Sequence, residues 1–409
     1  MLNGQAIFAQ AKKYEPEMVR FLRELIAIPS ESCQEGRVIQ HIKQEMLRVG
    51  FDEITIDPMS NIVGRIGNGK TILAIDAHVD TVGIGNPAAW PHDPYEGKFE
   101  NGIIYGRGAA DQEGALPGMI YGAKIIKDLD LAGDYTLYMV GSVQEEDCDG
   151  LCWQYLINED HIRPECVVIT DSTDCQVRRG HRGRMEIGVT VAGVSCHASA
   201  PERGDNAIYK MTKIIREIEQ LNERLRGHDF LGKGTITVTY IDCQTPSFNA
   251  VPDRCYIHLD RRLTVGETKE SALAEVRDAA RRAGVAAEVA VPMYDTPGYT
   301  GLVYPTEKYY PTWILEEDHP AVRAAVAAYQ CVFGEPVARV GSWVFSTNGV
   351  GIAGTFGIPC VGFGPGKEMH AHSVTDQVAV EQLVRAAAFY AAFPTMYMEQ
   401  KGKERLLVE

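Results

Sequence analysis

The sequence predicts an α/β protein, built as one larger, mostly parallel-sheet domain with a small α+β domain inserted into it. Two observations carry this. Strand-like runs alternate with amphipathic helical runs up to about residue 181 and again after 295, the order that builds a parallel sheet. Between them the order becomes strand, helix, strand, strand, helix, strand, which suits a single sheet with helices on one face. The expected boundaries are 1–181, 182–294 and 295–409.

Taken in order, Glu17 to Ile28 has helical apolar spacing and stops at Pro29, and Val38 to Val49 is a second amphipathic helix that stops at Gly50. Strands are expected at NIVGRI, TILAIDAHVD, YTLYMVGSVQ and CVVITDS. The inserted segments are MEIGVTVAG, NAIYKMTKIIREIEQLNERL, GTITVTYIDC, CYIHLDRRL, TKESALAEVRDAARRAG and AAEVAVPM. After a connector rich in tyrosine and proline come the helix PAVRAAVAAYQCVF, the strand IPCVGFG and a last helix near VAVEQLVRAAAFYAAF.

With 409 residues, 45% of them hydrophobic, the chain is long enough for two cores. Its net charge of -15 opposes binding to nucleic acid or to anionic membranes and favours small molecules or short peptides as partners. The first residues lack a basic leader with an apolar stretch, and no apolar run approaches the roughly 18 residues that span a bilayer, so a cytoplasmic protein is expected. Ten cysteines without paired spacing read as free thiols, Cys148 and Cys152 included.

Gly64 to Thr71 satisfies the P-loop expression GxxxxGK[ST], but a P-loop must open a helix whose amides hold phosphate. Here a β-branched strand follows at once, so Asn68-Gly69 is expected to be a hairpin turn.

The informative stretch is IDAHVDTV. In an extended strand Asp76, His78 and Asp80 share one face. Asp111 in GRGAAD, the adjacent Glu145 and Glu146, Asp171 in VVITDS and His372 in GPGKEMHAH each follow or end a strand candidate. Such positions converge on the carboxyl edge of a parallel sheet, and imidazole with carboxylate suits zinc or a similar divalent ion.

These segments in this order resemble the M20 family of metallopeptidases and amidohydrolases, which includes acetylornithine deacetylase, succinyl-diaminopimelate desuccinylase and carboxypeptidase G2-like enzymes. HxD at 78–80, GRGxxD ending at Asp111, the glutamate pair, Asp171 and the alanine-histidine at 371–372 carry the resemblance over nearly the whole chain. It implies a zinc-exopeptidase-like catalytic domain and a ferredoxin-like lid that also forms a homodimer. It implies two divalent ions per subunit, zinc first, with cobalt or manganese as alternatives. Asp111 would bridge them, His78 and Asp171 would hold one, Glu146 and His372 the other, and Glu145 would be the general base. Asp80 would orient His78 through its ring nitrogen. His372, following alanine, is preferred to His370, and Asp76 is assigned to structure.

In the insert, GVSCHASAPERGDNAI resembles the motif whose histidine, here His197, completes an active site, commonly that of the partner subunit. FNAVPDRCYIHLDRR resembles the segment that supplies Asn249 and Arg262 as contacts to substrate carboxylate or transition state, while Arg261 is expected to be a surface charge. One departure is Glu113, where many relatives carry lysine and glycine shortly after the bridging aspartate. With it the chain is similar to a subgroup labelled selenium-metabolism-linked hydrolases, a label that supplies no substrate. The implied reaction is hydrolysis of the amide bond of a small N-acyl or N-carbamoyl amino acid. The alternatives are a dipeptidase or carboxypeptidase, or a binding protein that kept the fold and lost catalysis.

Overall fold

The computed structural model describes residues 2–408, with side chains through Lys403. Three helices, α1 (Gly4–Lys13), α2 (Glu15–Ile26) and α3 (Gly36–Val49), precede strands β1 (Glu53–Ile56), β2 (Ile62–Ile66) and β3 (Thr71–His78). Then come α4 (Ala115–Asp128), β4 (Tyr135–Ser142), α5 (Leu151–Asn158), β5 (Cys166–Ile169) and β6 (Arg178–His181). The insert comprises β7 (Gly183–Ala192), α6 (Ala207–Arg224), β8 (Thr235–Gln244), β9 (Arg254–Leu263), α7 (Lys269–Arg282) and β10 (Glu288–Ala290). The chain returns through β11 (Trp313–Ile314), α8 (Pro320–Phe333), β12 (Gly341–Trp343), β13 (Cys360–Gly362) and α9 (Val380–Val408).

The large sheet runs β1-β2-β4-β3-β5-β13-β6-β11, with β12 beside β6. It is mixed: β4, β3, β5 and β13 are mutually parallel at the centre, and antiparallel pairs flank them. Because β4 lies between β2 and β3, Asn68-Gly69 is not a hairpin turn. The connection instead crosses the foot of β4, where the Gly69 amide donates to the Tyr135 carbonyl at 3.1 Å. The P-loop reading fails all the same, since β3 follows and not a helix.

Helix α4 was not visible as an amphipathic pattern because it is buried nearly all round. It packs closely on α9, and a Cβ at Gly118 would lie 2.9 Å from the Cβ of Ala386. In the insert the sheet order is β8-β9-β7-β10, antiparallel throughout. Alternate residues Met185, Ile187, Val189 and Val191 of β7 point into a core of their own with Met211, Ile214 and Val276 from α6 and α7. Asn206 caps α6 and a Thr268–Ser271 capping box starts α7. The outer strand β8 is exposed along most of its length.

Candidate functional site

The parallel centre of the sheet delivers the polar groups. His78 is the last residue of β3, Glu145 and Glu146 lie three and four residues beyond β4, and Asp171 lies two beyond β5. Asp111 sits in the loop before α4, after which the Asp111–Gln112 peptide bond is cis, and His372 sits in the loop after β13. Gln144 and His372 both have φ of 55°, a left-handed backbone that non-glycine residues keep only where their surroundings hold it.

Asp111 is at the middle. Its Oδ1 lies 3.1 Å from Nε2 of His78, and its Oδ2 lies 3.3 Å from Nε2 of His372. His78 is also 3.6 Å from Asp171 Oδ1 and 3.8 Å from Glu145 Oε2, while His372 is 2.9 Å from Glu146 Oε2. Ligand atoms of His78, Asp111 and Glu146 all lie within 4.8 Å of one another.

The electrostatics follow from crowding carboxylates in a buried place. Burial, reinforced by the charges of Asp149, Asp171 and Glu146 and opposed by His78, pushes Glu145 well above the usual carboxylate range. Burial and the Asp111 charge raise Glu146 to about 7, and burial raises Asp171 to about 6. Asp111 goes the other way: burial would raise it, but hydrogen bonds from His372 and His78 hold it well below its ordinary value. Burial would lower His78, yet the Glu145 charge and the bonds to Asp111 and Asp171 hold it well above 6.5. His372, bonded to Asp111 and Glu146, is pushed up to about 10. This donor set of imidazole and carboxylate fits divalent metal.

Asp80 differs from expectation. The ring Nδ1 of His78 lies 2.9 Å from the backbone carbonyl of Asp80, whereas the carboxylate is 3.7 Å away. That carboxylate instead accepts the amides of Glu145 and Glu146 at 3.1 and 3.0 Å, and the Ser32 hydroxyl at 2.7 Å. One residue thus orients His78 through its main chain and the glutamate loop through its side chain.

Residues 179–288 match the peptidase dimerisation domain of the M20 family. The chain is 56% identical over 393 residues to the uncharacterized protein YgeY of Escherichia coli strain K12, spanning 96% of this chain and 97% of that one. It is 24% identical to the N-formyl-4-amino-5-aminomethyl-2-methylpyrimidine deformylase of Bacillus subtilis strain 168, spanning 98% and 100%. The chain belongs to the M20 family. Its fold is shared by the YXEP protein of Bacillus subtilis, described as a dinuclear metal-binding peptidase of that family, with a TM-score of 0.69, 14% identity and coverage of 95% and 99%. As an M20 protein it is a metal-dependent amidohydrolase or peptidase.

In this M20 chain a cavity of about 280 Å³ opens above the cluster, a size for a small molecule. Arg262 lines it, its guanidinium bonded to Asp260 at 2.8 and 3.1 Å. Arg261, expected at the surface, is fully buried, paired with Glu267 at 2.7 Å and Glu275 at 3.0 Å. Alternation along β9 sends the two arginines to opposite faces, and the inward one needs partners.

His197 and Asn249 are neighbours in the insert, where Ala198 donates to the Asn249 carbonyl at 2.7 Å, but both are exposed and neither lines the cavity. His370 does not reach the cluster and instead bonds Gln377 at 3.1 Å. Asp76 is buried, held by Asn348 at 2.9 Å. Glu113 faces Ser30 at 3.3 Å beneath the loop and is not a lining residue, so the departure at that position does not alter the cavity wall.

Three residues were not marked by sequence. Asp149 and Arg184 line the cavity as a pair 3.2 Å apart, and Asn348 ties Gly150 to Asp76. The acidic run EEDCDG contained a signal for Asp149; Arg184 and Asn348 stand in ordinary strand and loop sequence and carried none.

Proposed function

We propose that this M20 enzyme hydrolyses the amide bond of a small N-acyl or N-carbamoyl amino acid, with Glu145 as general base and two divalent ions, zinc in the first instance. The carrying observation is that Asp111 meets His78 with one oxygen and His372 with the other, the disposition of a bridging ligand. His78 and Asp171 would hold one ion, Glu146 and His372 the other. Bound there, such ions polarise a carbonyl and lower the pKa of water.

Glu145 is buried, its backbone fixed by Asp80, and its raised proton affinity suits a group that takes a proton from water and returns it to the leaving amine near neutral pH. Arg262 on the cavity wall would receive a substrate carboxylate. His197 and Asn249, exposed and outside the chain's own cavity, would act in the cavity of a partner subunit, donating to the developing oxyanion. The exposed Tyr240, Ile241 and Phe248 on and beyond β8 support a homodimer built on this face. Among the described residues no helix is long and apolar enough to cross a membrane.

The deformylase likeness supports removal of an acyl group over peptide cleavage. The test is metal analysis followed by a panel of N-acetyl, N-succinyl and N-carbamoyl amino acids against dipeptides, with Glu145→Ala as the blank. Turnover confined to dipeptides would overturn the acyl reading, and less than two equivalents of metal would overturn the two-ion site.

A further inference from the structure

We propose that Asp376 is a positioning residue that presets the distance between Asp111 and His372, and thereby the affinity of the cation site formed by Glu146 and His372. Asp376 lies four residues beyond His372 and is 1% exposed. Among the described residues, every hydrogen bond to its carboxylate comes from the segment that leads into Asp111. Oδ1 accepts the Ala110 amide at 2.8 Å; Oδ2 accepts the Gly108 amide at 2.9 Å and Nη1 of Arg107 at 3.0 Å. The Asp376 carbonyl takes the Gly106 amide at 3.1 Å, and the short strands that follow and precede these loops pair Gln377 with Tyr105. Arg107 is itself immobilised, 4.9 Å over the Trp90 ring.

One carboxylate therefore fastens the Asp111 loop to the His372 loop. The other half of the site has a different fastener: Ser172, next to Asp171, donates to the Ala110 carbonyl at 2.7 Å. Ala110 is thus gripped from two sides, its amide by Asp376 of the His372 loop and its carbonyl by Ser172 beside Asp171, so loosening Asp376 leaves the Asp171 tie in place and falls mainly on the His372 side. Asparagine cannot replace it, because its NH2 group would face an amide donor or the arginine where an oxygen now accepts.

The inference rests on the two-ion reading, and the experiment separates the two. Zinc is titrated into the metal-free full-length protein by competition calorimetry, with Asp376→Asn placed on two backgrounds. Asp171→Asn leaves the Glu146–His372 site, and His372→Ala leaves the His78–Asp171 site. Expected is a ten- to hundredfold loss of zinc affinity from Asp376→Asn on the Asp171→Asn background, the usual effect of removing an outer support, and less than about threefold on the other. Thermal unfolding of the metal-free proteins reports folding, and Asp376→Glu, displaced by one methylene, gives the same comparison should the asparagine variant not fold. Equal loss on both backgrounds, or no loss on the first, overturns the role. Fewer than two zinc ions in the unmodified protein overturns the two-ion reading and this inference with it, whereas two ions without the difference overturns this inference only.

Discussion

Glu145→Gln isolates the chemistry from the architecture. The amide is isosteric with the carboxyl, and the backbone bond from Glu145 to Asp80 at 3.1 Å is untouched. What disappears is an ionisable group whose proton affinity is raised by burial and by the charges of Asp149, Asp171 and Glu146. A positioned general base contributes typically about 10²- to 10⁴-fold, so kcat/KM is expected to fall by that factor, or about 2.7–5.4 kcal/mol in barrier. Stability of the metal-free protein should move the opposite way. A carboxyl whose folded pKa lies above its unfolded value binds more protons in the folded state, so its contribution falls as pH rises above about 4.3. Removing it should flatten the decline in melting temperature above that pH and leave the variant at least as stable at pH 7. The assays are steady-state hydrolysis with bound zinc quantified, and melting of metal-free protein across pH 5 to 8. Turnover within tenfold of the unmodified enzyme, or loss of metal from the variant, would refute the assignment of Glu145 as base.

His197→Ala should lose about a hundredfold in rate with its metal retained. Mixed and reassembled with Glu145→Gln, it should recover roughly a quarter of normal turnover, because half the dimers are mixed and half their sites intact; no recovery would place His197 in its own subunit's site. Arg261→Ala leaves Glu267 and Glu275 facing an emptied buried place and should destabilise the insert by about 3–5 kcal/mol, read from urea unfolding; a change below 1 kcal/mol would contradict the buried pairing. Phe248→Asp, at a side chain fully exposed in the single chain, should weaken the dimer by at least about tenfold in sedimentation, with an unaltered monomer fold.

Much of the site was legible because strand periodicity and sheet topology act together. HVD and EED each sit at the end of a run of apolar residues, and parallel strands must bring such ends to one edge. What could not be read is what depends on strand order. Nothing local says that β4 enters between β2 and β3, so Asn68-Gly69 reads as a hairpin. Arg261 is a different case: the alternation Cys255, Ile257, Leu259, Leu263 already puts it on the apolar face, and what the strand does not reveal is the partners, Glu267 and Glu275, that let an arginine stay there. Helix α4 escaped for the converse reason, since a helix covered on all sides has no polar stripe. The Asp80 contact escaped because alternation places side chains on faces and is silent about a carbonyl two residues on.

The charge balance explains why these groups coexist. Asp111, Asp171, Glu145 and Glu146 lie together at 10% side-chain exposure or less against His78 and His372. The crowding shows in their proton affinities, with both imidazoles raised and three of the four carboxyls raised. The nearby arginines are paired with other carboxylates, Arg184 with Asp149 and Glu186, and Arg262, through Nε and Nη2, with Asp260. A fold that forces carboxylates together while its buried carboxylates Asp80 and Asp376 fasten the loops bearing them is already arranged for divalent cations. In the reaction proposed above, Glu145, 3.8 Å from His78, is the carboxyl that would exchange a proton.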